Sequence, residues 1–226
     1  MYLKFDNLSI RSASIKDANL LCQWWNDGKV MEHAGFPNGL GISSEVVTKQ
    51  LERNGVDSHH LMILEVDSVP VGEMAYRDKG DKIAEIGIKI CNFEMQGKGY
   101  GTTFLKMLID YLFEEKGFSR IILDTNLKNT RAQHVYEKLG FRRVGVRVDS
   151  WKNQLGELQS SIDYELTRAE VTPKAMKQPL LEEMSEFFTA RVDMYDEHML
   201  NNVEGCREGY NKMAELIPES TETLLD

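Results

Sequence analysis

Six residues near the middle of the chain form a glycine-rich turn that is suited to binding an anion. They read Gln96-Gly-Lys-Gly-Tyr-Gly101 and lie between a strand-like run and an amphipathic, helix-like run. Glycine lets a backbone approach a ligand closely and point successive amides at it. The start of the following helix adds the positive end of its dipole, which favours a phosphate or pyrophosphate, and Lys98 adds a mobile positive charge. A glycine turn that binds no ligand is the alternative.

The spacing within this glycine turn (residues 96–101) differs from two well-known phosphate motifs. A P-loop requires Gly-Lys followed by Ser or Thr, whereas Lys98 is followed by Gly99. The dinucleotide fingerprint requires GxGxxG within a βαβ unit. Here the spacing is GxGxG, and we interpret the preceding strands as a meander.

The elements that must position the turn alternate between strand and helix patterns. Candidate strands at His60–Val66, Val71–Tyr76 and Ile83–Ile90 are joined by short turns, which predicts an antiparallel meander. The remaining candidates are a first strand around Leu8 and Ile10, helices from Ser14 and Ser44, a helix with Phe104, Leu105, Leu108, Leu112 and Phe113 on one face, a short strand Ile121–Leu123, a helix Asn129–Leu139, and strands Arg143–Ser150 and Ser161–Leu166. The sequence therefore predicts an α+β fold with a mixed central sheet flanked by helices.

Composition excludes several classes of protein. The 226 residues are 42% hydrophobic and carry a formal net charge of −9, which argues against a general nucleic-acid binder. We find no apolar run of the ~18 residues that a membrane span needs, and no signal-peptide core at the start. Cys22, Cys91 and Cys206 are far apart and form no CxxC. They fit reduced thiols in a cytoplasmic protein better than a disulfide or zinc site.

The negative charge is concentrated at the C-terminal end. Residues 1–168 hold 22 basic and 23 acidic side chains, whereas residues 169–226 hold 5 and 13. Thr172-Pro173 and Gln178-Pro179 bracket a polar stretch, and a residue before proline is pushed out of the helical region. We therefore predict a domain at 1–168, a linker at 169–179 and an acidic helical extension at 180–226.

Two motifs together resemble the GCN5-related N-acetyltransferase (GNAT) family. They are Gln96-x-x-Gly99-x-Gly101 and Asn129-x-x-Ala132-x-x-x-Tyr136-Glu-Lys-Leu-Gly-Phe141. The resemblance covers residues 1–168 and implies acetyl-CoA as cosubstrate, without a metal. It implies that the backbone of the turn holds the pyrophosphate of acetyl-CoA, through Gln96, Gly97, Lys98, Gly99, Tyr100 and Gly101. It implies that the strand edge at Ile90 and Cys91, together with Asn129, holds the pantetheine arm. It also implies that Tyr136 is the general acid for the leaving thiolate, and a merely packed aromatic is the alternative.

The sequence leaves open which of several carboxylates is the general base. Glu85 lies on the strand before the turn, Asp124 ends the apolar strand, and Glu73 is a weaker third choice. A solvated or salt-bridged carboxylate is the alternative for each, and a water relay could replace all of them. Direct transfer makes a nucleophilic Cys91 unnecessary, so we interpret this thiol as core.

We expect an enzyme that acetylates a primary amine of a small molecule or of a protein N-terminus. The alternative is a non-catalytic acetyl-CoA-binding module that regulates a methyltransferase. The segment from Trp24-Trp25 to Gly39 resembles the substrate side of ribosomal-protein and aminoglycoside acetyltransferases, with one tryptophan exposed toward substrate or toward a second subunit of a homodimer. The adjacent His59 and His60 point to opposite faces of a strand, which makes joint chelation improbable.

The extension resembles a second family. Phe187-Phe-Thr-Ala-Arg191, Tyr195-Asp-Glu-His198 and Tyr210 resemble the lead-in helices of class I S-adenosylmethionine-dependent methyltransferases, and Thr223–Asp226 would begin their first strand. The glycine-rich cofactor turn of that family is missing, so we expect no methyltransferase activity from these residues. An acidic helical segment that packs on the domain or on a second subunit is the alternative.

Overall fold

The chain divides into two units, Met1–Thr172 and Pro173–Asp226. The computed structural model describes residues 1–55 and 58–168, all of which belong to the first unit. The predicted linker at 169–179 and the methyltransferase-like extension at 180–226 lie outside the described residues.

Eight strands form one mixed sheet in the order β1-β2-β3-β4-β5-β6-β8-β7. The strands are β1 (Tyr2–Phe5), β2 (Leu8–Ser12), β3 (His59–Val66), β4 (Val69–Asp78), β5 (Ile83–Ile90), β6 (Arg120–Asn126), β7 (Arg142–Lys152) and β8 (Leu158–Thr167). Strands β5 and β6 run parallel, and the other pairs within the described residues are antiparallel.

Five helices accompany the sheet in the described part of the chain. They are α1 (Ala18–Trp25), α2 (Gly28–Met31), α3 (Ser44–Glu52), α4 (Tyr100–Asp110) and α5 (Thr130–Lys138). Helix α4 continues into a π-helical turn at Tyr111–Glu115. Short 3₁₀ turns lie at Ile15–Asp17, Glu32–Ala34 and Phe93–Met95.

A separate hydrophobic core covers each face of the sheet. On one face, α4 and α5 bury Phe104, Leu108 and Tyr136 against strand residues such as Met74 and Ile121. On the other face, α1 and α3 bury a smaller cluster that includes Leu21, Val47, Leu51, Leu61 and Ile63. A fully buried side chain of this size stabilises the fold by roughly 1.5–3 kcal/mol. The mixed α+β sheet with helices on its faces is thus confirmed.

The main topological difference from the sequence-based prediction concerns the glycine turn. The meander β3-β4-β5 is confirmed, but β5, α4 and β6 form a parallel crossover, which the interpretation as a meander did not include. Strand β1 and the short helix α2 were also missed. Strand β6 is longer than its apolar part, so Asp124 lies inside the strand instead of ending it.

Candidate active site

A cleft opens where two neighbouring strands of the sheet separate. Strands β5 and β6 pair from Ile83 with Arg120 to Glu85 with Ile122, and in the described residues their pairing ends there. Beyond this point Gly87–Ile90 and Asp124–Asn126 line opposite sides of a cleft of about 1380 Å³. The separation leaves backbone groups of both strands without a strand partner, so they are available to a ligand.

The glycine turn lies at one end of this cleft and offers a row of backbone amides. Gly97 and Gly99 have φ values of +79° and +85°, a left-handed conformation that residues with a Cβ rarely adopt. Gly99 is also the residue before α4, whose first-turn amides have no partner within the helix. In the described part of the chain, the amides of residues 97–101 have no hydrogen-bond partner. The turn therefore has the geometry of a phosphate cradle.

The structure corrects part of the predicted ligand set in this turn. The Gln96 amide donates to the Phe93 carbonyl at 3.1 Å, so it is not available to a phosphate. The residues of the turn that line the cleft are Gln96, Gly97, Gly99 and Gly101, and Lys98 and Tyr100 are not among its lining residues.

Arg131, which sequence reasoning missed, lies beside the glycine turn. Its Nη1 donates a hydrogen bond to Gln96 Oε1 at 2.8 Å. Its Nη2 lies 3.6 Å from the position that a Cβ would take at Gly97. The guanidinium thus places a permanent positive charge next to the amide row. Its position in the first turn of α5, two residues after Asn129, was the signal that could have revealed it.

The open edge of β5 is formed by alternate residues. Cys91 donates its amide to Val71 on the β4 side at 2.9 Å. Because successive residues of a strand direct their backbone groups to opposite edges, Ile88 and Ile90 direct theirs toward the cleft, and Gln96 Nε2 donates to the Ile90 carbonyl at 2.8 Å. The edge predicted at Ile90 and Cys91 is therefore formed by Ile88 and Ile90.

Cys91 itself is part of the core. It is 5% exposed, and burial raises the pKa of its thiol to about 12. A thiol in this state is a poor nucleophile at neutral pH because little thiolate is present. These properties support the interpretation of Cys91 as a core residue.

Asn129 caps a helix at the rim of the cleft. Its Oδ1 accepts the amide of Ala132 at 3.2 Å, which begins α5. Its Nδ2 donates to Thr125 Oγ1 at 3.4 Å, and an amide nitrogen carries a second proton. Asn129 and Thr125 both line the cleft. The capping role thus leaves one donor for a ligand.

Tyr136 lies on α5 with its ring in the core and its hydroxyl at the cleft. The ring packs edge-on against Phe141 and Tyr164, with centroid distances of 5.9 and 5.7 Å. Its hydroxyl has no hydrogen-bond partner among the described residues, yet these residues contain no fully buried polar side-chain atom without a partner. The hydroxyl is therefore accessible from the cleft that Tyr136 lines. Burial, with a contribution from the charge of Asp124, raises its pKa to about 12.

The three candidate bases occupy different environments. Asp124 lines the cleft and accepts a hydrogen bond from Arg147 Nη2 at 2.8 Å. Glu85 lies where β5 and β6 are still paired, is outside the described lining of the cleft, and faces Arg77 and Lys79 at 3.6 Å each. The structure thus brings Asp124, and not Glu85, to the same cleft as Tyr136.

Glu73 is engaged in a buried cluster next to the cleft. It is 4% exposed, and its two oxygens accept from Trp25 Nε1 at 2.8 Å and from Lys89 Nζ at 2.7 Å. Lys89 lines the cleft. Trp24 and Trp25 are both half-buried against the smaller core, so neither tryptophan is the exposed aromatic that the sequence predicted.

The described residues contain neither a candidate metal site nor a candidate membrane span. No group of three or more His, Cys, Asp or Glu side chains there could hold a metal ion; His60 instead stacks on Tyr76. Among the helices of residues 1–55 and 58–168, none is long and apolar enough to cross a membrane.

The splayed parallel strands, the phosphate cradle and the tyrosine at the cleft fit an acyl-CoA-dependent transferase. Residues 7–142 match the family model described as "Acetyltransferase (GNAT) domain". The chain belongs to the GNAT family and is an acetyl-CoA-dependent N-acetyltransferase.

Known proteins with similar sequences and structures agree with this membership. An uncharacterized N-acetyltransferase YnaD of Bacillus subtilis is 26% identical over 64% of this chain and 85% of its own length. The aminoglycoside N(6')-acetyltransferase type 1 of Klebsiella pneumoniae is 24% identical over 62% of this chain and 76% of its own length. The crystal structure of spermidine N-acetyltransferase from Vibrio cholerae, in complex with CoA and spermine, matches with a TM-score of 0.67 at 20% identity, over 74% of this chain and 99% of that chain.

Proposed function

We propose that this chain transfers the acetyl group of acetyl-CoA directly to a primary amine of a small molecule or of a protein N-terminus. One observation carries the proposal: the amide row of the glycine turn, the open edge of β5 and the Tyr136 hydroxyl meet at one cleft. Similar proteins act on an aminoglycoside, on spermidine and on the N-terminus of a ribosomal protein, so both classes of amine stay in the proposal.

Acetyl-CoA is held at this cleft by backbone and side-chain donors. The amides of Gly97–Gly101 and the guanidinium of Arg131 bind the pyrophosphate, because they combine oriented dipoles with a permanent charge. The pantetheine arm pairs with the edge of β5 at Ile88 and Ile90, as an added strand would. The free donor of Asn129 Nδ2 binds the same arm.

Tyr136 acts on the leaving group. The amine attacks the thioester carbonyl, so that a C–N bond forms and the C–S bond breaks, and no covalent enzyme intermediate is needed. With its pKa raised to about 12, the hydroxyl is protonated throughout the physiological range. It therefore donates a hydrogen bond and then the proton to the thiolate as the thiolate forms.

Asp124 is the acid best placed to receive the proton that the amine loses. It shares the cleft with Tyr136 and is about half exposed, so it reaches the amine directly or through one water. Arg147 bonds both Asp124 and Asp163 at 2.8 Å, and this arrangement holds the Asp124 carboxylate at the cleft. Glu85 remains the second candidate and acts only if a water relay spans the paired ends of the strands.

A panel assay with thiol detection tests the activity. Purified protein and acetyl-CoA are incubated with spermidine, kanamycin, or a short peptide with a free N-terminal serine, and release of CoA thiol is followed. Amine-dependent thiol release with the acetylated product in the mass spectrum supports the proposal. Binding of acetyl-CoA in calorimetry without thiol release for any amine would favour the non-catalytic module.

Three further proposals rest on the sequence. We infer a cytoplasmic location, which is supported by the unpaired thiols of Cys22 and Cys91. A homodimer also stays a prediction, and analytical ultracentrifugation would test it by measuring the mass of the protein in solution. The domain at 1–168, the linker and the methyltransferase-like extension at 180–226 also stay predictions. Binding of S-adenosylmethionine in calorimetry would contradict the expected lack of methyltransferase function.

A further inference from the structure

Gln154 ties two distant loops of the domain together. It lies in the turn between β7 and β8 and makes three hydrogen bonds to the loop that follows α2. Its amide donates to the Gly35 carbonyl at 2.8 Å, its Oε1 accepts the Asn38 amide at 2.9 Å, and its Nε2 donates to the Gly39 carbonyl at 3.0 Å. Such a set of bonds fixes the loop in position and orientation, since it uses the backbone and both ends of the side-chain amide.

Trp151 provides a second fixed point on the same loop. A Cβ at Gly35 would lie 2.4 Å from Trp151 Cζ3, and Gly35 has a φ of +94°. The indole N–H donates to Ser161 Oγ at 2.9 Å, which fixes the ring on the sheet. Trp151 and Ser161 both line the cleft. The loop thus packs on a rigid surface that is itself part of the site.

The segment held in this way forms a wall of the cleft. Lys29, Val30, Glu32, His33 and Ala34, which directly precede Gly35, all line it. The segment makes no sheet pairing in the described residues, so its position depends on side-by-side packing with α1 and β6 and on the contacts of the Gly35–Gly39 loop. None of these wall residues belongs to the glycine turn, β5 or α5, which bind acetyl-CoA in the proposed function. The wall is therefore left to the acceptor amine.

We propose that Gln154 is a positioning residue for the acceptor: it holds the wall at 29–34 in place and thereby determines the affinity for the amine, without touching acetyl-CoA. This proposal rests on the proposed function. Its chemical basis is that three well-formed hydrogen bonds restrain the Gly35–Gly39 loop, which continues the wall segment directly along the chain.

The test compares Gln154→Ala with Leu155→Ala, a neighbouring exposed residue of the same turn. Loss of two side-chain hydrogen bonds at Gln154 should raise the KM for the best amine of the panel about thirtyfold, because two bonds contribute about 2 kcal/mol together and 1.4 kcal/mol is tenfold. The KM for acetyl-CoA should change less than twofold, and Leu155→Ala should match the wild type in both. Gly35→Ala, which clashes with Trp151, should reproduce the amine-specific effect.

Hydrogen exchange separates the proposal from the activity itself. The amides of Gly35, Phe36, Asn38 and Gly39 should exchange at least tenfold faster in Gln154→Ala, with those of α4 unchanged. Unchanged exchange, or faster exchange with an unchanged KM for the amine, would overturn the role of Gln154. Acetyl-CoA binding by a wild type that acetylates none of the three amines would instead overturn the proposed function, and the positioning role with it.

Discussion

Arg131 donates a hydrogen bond to Gln96 across 2.8 Å and so connects the start of α5 with the glycine turn. Gln96 extends the connection, because its Nε2 donates to the Ile90 carbonyl at the end of β5. The three elements that surround the expected acetyl-CoA site are thus joined through one glutamine side chain. The Oε1 atom of Gln96 orients the Arg131 guanidinium beside the amides of residues 97–101.

Removal of this guanidinium should weaken CoA binding. We expect Arg131→Ala to raise the Kd for CoA roughly tenfold to a hundredfold, since a hydrogen bond to a charged group contributes about 1.5–3 kcal/mol. Calorimetry measures the change, and its size should shrink in high salt. Lys106→Ala removes the same charge from an exposed position on α4 and should leave the Kd unchanged. An equal loss in both variants would contradict a specific contact.

Replacement of the proposed general acid should slow the chemical step. We expect Tyr136→Phe to lower kcat about a hundredfold with a small change in the KM for acetyl-CoA, because general acid catalysis contributes at least that factor. Tyr164→Phe is the matched control, since that hydroxyl bonds Glu137 at 2.9 Å instead of reaching the cleft. Steady-state thiol release measures both.

The pH dependence of the wild-type kcat provides a second test of the role of Tyr136. Its pKa of about 12 lies far above the assay range, so the wild-type rate should show no loss from its ionisation up to pH 10. A kcat of Tyr136→Phe equal to that of the wild type would exclude the acid role.

Two acids are distinguished by paired substitutions. We expect Asp124→Asn to lower kcat/KM for the amine at least tenfold at pH 7, because the variant has no carboxylate to receive the proton. Glu85→Gln should stay within twofold, since Glu85 lies where the strands are still paired. The profile of kcat/KM against pH measures both. If Asp124→Ala and Glu85→Ala combined leave the profile unchanged, neither acid is the base.

Asp17 should make the stability of the domain depend on pH. Its burial would raise the pKa, but hydrogen bonds from the Arg11 guanidinium and from Ser14 outweigh burial, so the folded-state pKa is lowered. The contribution is therefore fully present above the unfolded pKa of about 3.9 and is lost as pH falls through the lower folded value.

The substitution Asp17→Asn measures this contribution. It should reduce the free energy of unfolding by roughly 1.5–3 kcal/mol at pH 7, and the difference from the wild type should narrow below about pH 4. Urea unfolding at several pH values measures it. A deficit that stays constant down to pH 2 would show that the effect is one of packing.

The local features of the fold followed from the sequence because they depend on neighbours along the chain. The glycine turn, the cap at Asn129 and the apolar face of α4 each rest on residues within four positions of one another. Strand β1 was missed because its residues are mostly exposed and do not alternate between buried and exposed positions. The parallel pairing of β5 with β6 was missed because parallel neighbours are decided by a helix crossover and not by short turns.

The sequence by itself determined the fold class, the family, the glycine turn and the position of Tyr136. Only the tertiary structure decided which acid shares the cleft, which edge of β5 is open, and that Arg131, Lys89 and Gln154 belong to the site or its support. These properties depend on where two strands stop pairing and on contacts between residues such as Gly39 and Gln154, which are 115 positions apart. Such contacts arise from strand register and side-chain direction in the packed fold, and a local sequence pattern specifies neither.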